Sequence, residues 1–492
     1  MNNTKKIATD LIKQAKLENV YLVLRFQKNK VRMMNVKNGT IDRSEQVEVI
    51  GTGIHTFTES GHSGFASVDT IQDNKRLLNC LKIAIAAAKT AKKQKFEKVT
   101  EIYNLKPQKD KIIQKVLTDP FQVANKKLEE DLLSLNKLLL KKYPKTSISN
   151  TAKFFLDHIR IFRSDGTDVE FSVSNSNLFS VVTINQGNNV NEVFQSTYGF
   201  GFEVIDSKKS VNNHKKLLNN KLQYVLKLNS AKRLKGGNYP LLLDSSIAGV
   251  FMHEAFGHTA ESDNVYHSSP LLKNGKIDKG KVVAKKFVNV IEGINPNTRG
   301  FYPYSGFGIK RKKIFIVKNG KVNDLISDVI TAKKAGVNVN GGSRAESYSN
   351  IPVPRMSQTK ITLDKKNTIP LGFNHLIESV DKIHSKLKKE KVFKKHKEIV
   401  YLVGSSGGNV DSYHGNFQFN SVISFKLTEN NITLIKPVAF SGKTLEALKS
   451  AELALGKSYQ WPGFCGKDGQ TVIVNTKAPM LLLSKNKYIT VG

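Results

Sequence analysis

Apolar residues near the start of the chain change from a helical spacing to strand-like alternation. Ile7, Leu11 and Ile12 share one helix face, which predicts a helix over residues 4–16. Alternating apolar and polar segments follow, and an Asn-Gly pair at 38–39 between two of them is typical of a tight hairpin turn. The pattern predicts a helix followed by an antiparallel meander.

Two further helices and a second set of strands are predicted before the middle of the chain. Leucine and alanine at helical spacing indicate helices over residues 76–95 and 120–143. Alternating segments return over residues 147–206, with a Ser-Asp-Gly turn signal at 164–166. This half therefore combines strands in sequence-adjacent pairs with separate helices.

A Gly-Gly pair marks the predicted domain boundary, at the end of a lysine- and asparagine-rich helical stretch over residues 207–235. The two domains would span residues 1–236 and 237–492. The second half has many short strand patterns, a buried helix through the 250s and a further helix over residues 444–456. Because strands dominate and the helices are segregated, the pattern favours an α+β fold with two domains and largely antiparallel sheets.

The chain of 492 residues is strongly basic, with 77 Lys and Arg against 41 Asp and Glu and a formal net charge of +36. A concentrated basic surface would favour a nucleic-acid partner. However, lysine far outnumbers arginine, the better phosphate ligand, and the lysines are spread along the chain. The charge is better explained by a solvated, lysine-rich surface, and we expect no nucleic-acid partner.

Two cysteines, Cys80 and Cys465, exclude a disulfide framework and fit a reducing compartment. The first 25 residues contain no apolar signal segment, and no apolar run is long enough for a transmembrane helix. We therefore expect a soluble cytoplasmic protein without a membrane partner. Cys80 lies on the apolar side of a predicted helix and is expected in the core.

The candidate chemistry centres on an HExxxH motif formed by His253, Glu254 and His258. It resembles the zinc-binding HExxH motif with one extra residue. In a regular helix, residues five apart differ by about 140° around the axis, so the imidazoles would diverge. A π-bulge would restore a shared face, and Gly257 is a plausible place for it. The alternative is a pair of polar residues on an amphipathic helix.

A third ligand is needed, because catalytic zinc takes three protein ligands and a water. The residues leave four candidates open: Glu261, Asp263, His267 and Cys465. Glu261 could instead orient an imidazole. Cys465 is predicted in a glycine-flanked turn, where close backbone approach and an exposed thiolate would suit a metal ligand.

Over nearly its whole length the chain resembles the TldD/PmbA family of zinc metallopeptidases, in its catalytic TldD-like branch. The resemblance rests on HEAFGHTAESD (253–263), GGSRAESYSNIPVPRMSQT (341–359), CGKDGQ (465–470) and the terminal ITVG. The N-terminal half agrees more loosely. The chain departs from the family at residues 259–260, Thr-Ala where relatives often have Gly-Leu, and this puts the fine positioning beside the second histidine in doubt.

The resemblance implies one Zn²⁺ per catalytic subunit, bound by His253, His258 and Cys465, with Glu254 as the catalytic carboxylate. It also implies unfolded peptide substrates, held as added β-strands in an enclosed channel. Family roles include leader-peptide trimming and degradation of small unfolded proteins. A catalytic subunit pairs with a related, motif-lacking subunit, and whether this chain pairs in that way or with itself stays open.

In such a mechanism zinc polarises the scissile carbonyl, and Glu254 transfers a proton from water to the leaving amine. The developing negative charge needs a further donor, for which Arg344, Tyr348 and Arg355 are candidates. For each of them a loop-holding role is the favoured alternative. His414 is a weaker candidate beside the site.

Gly341–Gly342 and Gly404–Gly408 could admit a substrate backbone closely, or be turns. Two other functions are weighed against a peptidase. A non-catalytic scaffold subunit would keep the fold, but it would not need the intact His253, Glu254 and Cys465. A nucleic-acid-associated protein is suggested by charge alone.

Overall fold

The computed structural model describes residues 3–186, 189–376 and 379–492. Two large sheets and several flanking helices make up the fold, and most strand pairs are antiparallel. The protein is α+β, as the sequence pattern predicts. No helix within these ranges is long and apolar enough to cross a membrane.

The first half of the chain forms a seven-stranded sheet with five helices in the described part. Its elements are α1 (Thr4–Leu17), β1 (Val20–Lys37), β2 (Thr40–Thr58), β3 (Ser63–Val68), α2 (Asn74–Lys93), β4 (Lys109–Ile113), α3 (Asn125–Lys142), β5 (Thr146–Arg163), β6 (Asp168–Gln186), β7 (Asn189–Gly199), α4 (Glu203–Asp206) and α5 (Lys208–Val225). The strand order is β3-β2-β1-β5-β6-β4, with β7 beside β6. The predicted helices and meander are confirmed, and most ends differ by a few residues, but the helical stretch expected over residues 207–235 ends at Val225.

The hairpin between β1 and β2 has the predicted two-residue turn. Asn38 and Gly39 have φ values of 48° and 85°, the left-handed conformations that this turn requires. Apolar side chains of α1 and α2 pack against one face of this hairpin, and Cys80 is buried among them, only 4% exposed. The prediction that Cys80 is a core residue is confirmed.

The second half is built on a thirteen-stranded sheet. Its elements are β8 (Leu241–Leu243), α6 (Ser245–Met252), β9 (Leu272–Lys273), β10 (Lys276–Ile277), β11 (Val288–Glu292), β12 (Ile314–Lys318), β13 (Lys321–Val322), α7 (Ala332–Ala335), β14 (Ser343–Arg344), β15 (Val353–Pro354), β16 (Gln358–Leu363), β17 (Thr368–Ile369), α8 (Val380–Lys389), α9 (Val392–Lys395), β18 (Glu398–Asp411), β19 (Asn416–Thr428), β20 (Ile432–Ile435), β21 (Ala439–Lys443), α10 (Thr444–Lys449), β22 (Ala451–Lys467), β23 (Gln470–Leu483) and β24 (Ile489–Val491). The buried helix α6 packs against β16, β18, β22 and β23.

One predicted helix is wrong over its second half. The helix expected over residues 444–456 ends at Lys449, and β22 begins at Ala451. The helical spacing of alanine and leucine is overridden because β22 pairs along its length with β23, a contact that local propensity cannot anticipate.

Apolar packing joins the two halves of the chain. One buried cluster contains Met34 and Leu178 from the first sheet together with Leu242 and Phe425 from the second. The first sheet uses strands up to Gly199 and the second starts at Leu241. The division into domains at residue 236 stays a prediction.

Candidate metal centre

The HExxxH motif begins where α6 ends. Asp244 caps the start of this helix, since its Oδ1 accepts hydrogen bonds from the backbone N–H of Ser246 at 3.0 Å and of Ile247 at 2.8 Å. Phe251 and Met252 in the last turn are fully buried. The helix therefore delivers the motif into the protein interior.

The helix widens at the motif. His253–Gly257 forms a π-helical turn, and a 3₁₀ turn over His258–Ala260 follows it. The predicted π-bulge is confirmed, and it brings the two imidazoles together with ring centroids 5.1 Å apart. Gly257 is packed against Met356, so that a Cβ at this position would overlap the methionine sulfur.

The thiol of Cys465 reaches the two imidazoles from a distant strand. Possible ligand atoms of His253, His258 and Cys465 all lie within 4.8 Å of one another. Cys465 Sγ is 3.4 Å from His258 Nε2. Bonds of about 2.0–2.3 Å to one tetrahedral ion put ligand atoms roughly 3.5 Å apart, so this pair already has a suitable separation.

The surroundings of Cys465 differ from those predicted. The residue lies within β22, opposite Val472 of β23, and the turn follows at Asp468 and Gly469. Its side chain is buried, 3% exposed, and a Cβ on the flanking glycines would meet no atom within 4 Å in the described structure. The expected glycine-flanked turn, exposed thiolate and close backbone approach are therefore wrong, because strand pairing carries the cysteine inward.

The donor set fits a zinc ion. Two imidazoles and a thiolate are nitrogen and sulfur ligands of the kind that Zn²⁺ prefers, and they leave one position for water or substrate. His253 Nδ1 is buried and has no hydrogen-bond partner among the described residues. A buried imidazole nitrogen without a partner is costly unless it is coordinated or paired.

A buried network fixes the orientation of the second imidazole. Glu261, 1% exposed, accepts a hydrogen bond from His258 Nδ1 at 2.9 Å, and this leaves Nε2 directed at Cys465. Lys467 Nζ lies 3.0 Å from Glu261 Oε2 and 2.6 Å from Asp263 Oδ2. Lys467 follows Cys465 by two residues and therefore shares its face of β22.

Charge within this cluster shifts three pKa values. Burial alone would raise the pKa of the Cys465 thiol, but the imidazoles of His253 and His258 lower it to about 4. Burial alone would lower the pKa of His258, but Glu261 and Cys465 raise it. Burial alone would raise the pKa of Glu261, but Lys467 and His258 lower it to about 2. These interactions favour the thiolate form of Cys465 and the protonated form of His258.

Among the three predicted donors, Arg355 reaches this cluster. It is fully buried, and its Nη2 donates to Cys465 Sγ at 3.2 Å and to Cys465 O at 2.6 Å. Arg344 is buried elsewhere, with Nη1 donating to Met356 O and Ile473 O, and burial lowers its pKa to about 10.

Tyr348 and His414 lie away from the thiol and imidazoles. The Tyr348 ring covers Gly51 of β2, so this tyrosine holds a loop against the first sheet. His414 is exposed in the turn between β18 and β19 and hydrogen-bonds to Asp411 Oδ2 at 2.6 Å. His267, a ligand candidate, instead packs against the tilted ring of Tyr413 at a centroid distance of 4.8 Å.

An open cavity of about 610 Å³ adjoins the cluster. Glu254, His258 and Cys465 all line it, and Glu254 Oε2 is 3.8 Å from His258 Nε2. Lys467 also lines the cavity, and the sequence alone does not identify it as a site residue. The signal that could have found it is its two-residue spacing from Cys465 in a strand pattern, which places both side chains on one face.

Two family models match parts of the chain. Residues 236–489 match the PmbA/TldA metallopeptidase C-terminal domain, and residues 22–88 match PmbA/TldA metallopeptidase domain 1. The chain belongs to the PmbA/TldD metallopeptidase family.

Several curated relatives carry metalloprotease names. A metalloprotease of Archaeoglobus fulgidus is 28% identical over 75% of this chain and 79% of its own length. A metalloprotease of Methanothermobacter thermautotrophicus is 30% identical over 64% of each chain. A zinc metalloprotease TldD homolog of Saccharolobus solfataricus is 26% identical over 67% of this chain and 68% of its own.

Solved structures share the fold over almost the whole chain. A candidate modulator of a DNA gyrase from Thermotoga maritima has a TM-score of 0.74 at 16% identity, over 99% of this chain and 100% of that one. TldE from Thermococcus kodakarensis has a TM-score of 0.71 at 15% identity, over 97% of this chain and 100% of that one. At these identities the likeness shows the fold alone.

Proposed function

We propose that the protein is a zinc-dependent metallopeptidase that hydrolyses peptide bonds in unfolded or extended peptides. His253, His258 and Cys465 would bind one Zn²⁺ per catalytic subunit, and Glu254 would act as general base. The observation that carries the proposal is the convergence of two imidazoles and a thiol, within 4.8 Å, beside a carboxylate in one cavity.

When bound, Zn²⁺ would polarise the scissile carbonyl and lower the pKa of the attacking water. Glu254 lines the cavity and its side chain is 23% exposed, so its carboxylate can reach a water molecule there. It would accept the proton from that water and return it to the leaving amine nitrogen.

Other residues of the chain would hold these groups in position. Glu261 keeps His258 in the tautomer whose Nε2 is free, because the carboxylate accepts from Nδ1. Arg355 donates to Cys465 Sγ and therefore stabilises the thiolate form in the interior. Both are positioning residues, since neither needs to touch the substrate.

The form of the cavity supports extended substrates. Gly408, Asn409 and Val410 of β18 line it, and this stretch lies beyond Leu402, where the pairing of β18 with β8 ends. On that side the structure describes no further strand beside β18. A peptide backbone could add there as a strand, which gives affinity with little side-chain selectivity. Gly342, in contrast, is packed against Ile326 and Ser327.

We propose a subunit pairing as well, either with a related subunit that lacks the motif or with a second copy of this chain. The shared fold with a TldE protein supports the first choice. A cytoplasmic location is proposed because Cys465 can bind metal only while it is reduced. Leader-peptide trimming and degradation of small unfolded proteins are the proposed roles.

The variant Glu254→Gln tests the proposal. We expect it to keep one zinc ion per chain and to lose cleavage of unstructured fluorogenic peptides by about a hundredfold or more. Zinc is measured by atomic emission and cleavage by fluorescence, on the chain alone and with a motif-lacking relative. Glu390→Gln, which changes a surface carboxylate paired with Lys386 outside the cavity lining, is the control. Undiminished cleavage by Glu254→Gln would remove Glu254 as the base.

A further inference from the structure

The cavity beside the candidate metal centre is acidic, although the whole chain carries a net charge of +36. Its described lining contains two histidines, His258 and His267, one lysine, Lys467, and five carboxylates. These carboxylates are Glu254, Glu261, Asp263, Asp328 and Asp468. Arg355 adds a buried positive charge behind Cys465. With Zn²⁺ bound and all five carboxylates ionised, the six negative charges, including the Cys465 thiolate, would exceed the four positive charges of Zn²⁺, Lys467 and Arg355.

Part of this negative charge already has a partner. Glu261 accepts from His258 and Lys467, and one oxygen of Asp263 contacts Lys467. Asp468 lies in the turn after β22, and Asp328 lies in the segment before α7. Both residues line the cavity. Asp468 is exposed to solvent, whereas Asp328 is buried.

Asp328 is the most unusual of these groups. It is fully buried, and its Oδ1 accepts hydrogen bonds from Ile330 N and from the backbone and hydroxyl of Thr331. Its Oδ2 has no hydrogen-bond partner anywhere in residues 3–186, 189–376 and 379–492, and the same holds for Asp263 Oδ1. A buried carboxylate oxygen without a donor is costly, which points to a donor that arrives with a ligand.

We propose that the Asp328 side of this cavity is a subsite for a primary ammonium group of the peptide substrate, supplied by its free amino terminus or by a lysine side chain. An ammonium brings three N–H donors and a positive charge, which match the free oxygens of Asp328 and Asp263. Tyr413, 43% exposed, lines the same cavity. The inference rests on the proposed peptidase function, because it names the substrate class of the same site.

Peptide binding to zinc-loaded Glu254→Gln tests the subsite without cleavage. The probes are short fluorescent peptides of one sequence with a central lysine or norleucine, each with a free or acetylated amino terminus. We expect the ammonium-bearing form to bind about tenfold tighter or more at low salt. The preference should shrink as ionic strength rises, because salt screens charge pairs. The norleucine arm and the acetylation arm separate the two sources of ammonium.

Variants then assign the preference to this cavity. Asp328→Asn should reduce the preference for the ammonium-bearing peptide several-fold, because it removes the negative charge. Asparagine keeps the Oδ1 acceptor that Asp328 uses for its turn, so the fold should be preserved. Asp468→Asn is a second variant, which tests the subsite even if Asp328→Asn fails to fold. Asp468 has a left-handed φ of 50°, a conformation that asparagine tolerates. Asp278→Asn, a carboxylate paired with Lys281 outside the cavity lining, is the control.

Each outcome decides the proposal. Equal affinity for ammonium-bearing and neutral peptides at low salt overturns it, and so does a preference that both Asp328→Asn and Asp468→Asn leave unchanged. Zinc-loaded protein that binds these peptides with the expected preference but cleaves none would refute the peptidase function and keep the subsite. Cleavage of these peptides without a preference for the ammonium group would refute the subsite and keep the peptidase function.

Discussion

Lys467 Nζ lies 3.0 Å from Glu261 Oε2, and this contact joins the strand that carries Cys465 to the turn that carries His258. Glu261 also accepts from His258 Nδ1 at 2.9 Å, so one buried carboxylate connects an imidazole to a lysine two residues from the thiol. The relative position of two proposed zinc ligands, His258 and Cys465, therefore depends on the charge pair between Lys467 and Glu261. Neither residue of the pair needs to touch the metal.

Replacing this lysine should weaken zinc binding while leaving all proposed ligands in place. Lys467→Met removes the main charge that lowers the pKa of Glu261 and leaves a buried carboxylate poorly paired. We expect zinc affinity, measured by competition with a chromophoric chelator, to fall about 10–100-fold. Lys477→Met on the paired strand β23 is the matched control. Equal zinc affinities for Lys467→Met and the wild type would contradict the positioning role.

The two cysteines should respond differently to the same substitution. Cys465→Ser replaces the proposed thiolate ligand, and we expect the zinc content per chain to drop well below one after dialysis. Cys80→Ser changes a buried core residue, and burial raises the pKa of its thiol to about 11, so it should keep its zinc with a modest loss of stability. Full zinc occupancy in purified Cys465→Ser would exclude this cysteine as a ligand.

The π-turn should depend on the absence of a side chain at Gly257. Gly257→Ala would push a methyl group against the buried Met356, and we expect a destabilisation of about 1–3 kcal/mol. Unfolding followed by circular dichroism measures it, with Gly372→Ala, where a Cβ meets no described atom within 4 Å, as the control. The effect should be smaller in a Met356→Ala background. A loss of the same size in both backgrounds would show that this contact is not responsible.

Stability should also change with pH because of a half-buried carboxylate, Asp157, between the two halves of the chain. Burial raises the pKa of Asp157 from an unfolded value near 3.8 to about 6. Between these values the folded state binds the proton more strongly than the unfolded chain, so this group's contribution to stability falls as pH rises from about 4 to 6.

The variant Asp157→Asn removes this titration. Relative to wild type it should gain about 2–3 kcal/mol between pH 4 and pH 7, whatever its absolute stability. Melting temperatures of both proteins at the two pH values measure the change, and the exposed Asp42→Asn should show none. A difference between wild type and Asp157→Asn that does not vary with pH would mean that folding leaves the pKa of this carboxylate unchanged.

Sequence patterns were most informative where the structure is governed by neighbours along the chain. The spacing of Ile7, Leu11 and Ile12 predicted α1, and the Asn-Gly pair at 38–39 predicted the hairpin turn. The extra residue of the HExxxH motif predicted the π-turn at His253–Gly257. These features follow from helix geometry and from the left-handed conformations that asparagine and glycine tolerate.

Several features required the folded chain. The strand at Ala451 ended a helix that local spacing favoured, and Cys465 was buried by the pairing of β22 with β23 rather than exposed in a turn. Of three candidate donors, packing brought Arg355 to the thiol and kept Tyr348 on the first sheet.

By itself, the sequence determined which chemical groups the protein has available: two imidazoles and a carboxylate on one turn, and a thiol 207 residues beyond the second imidazole. Only the tertiary structure decided that these groups meet, that Lys467 and Glu261 link them, and that Asp328 joins them in an acidic cavity. The physical reason is the separation along the chain of the residues that must make contact. Turns and helices depend on contacts between near neighbours, whereas a shared site depends on strand register and core packing between segments that are far apart in the chain.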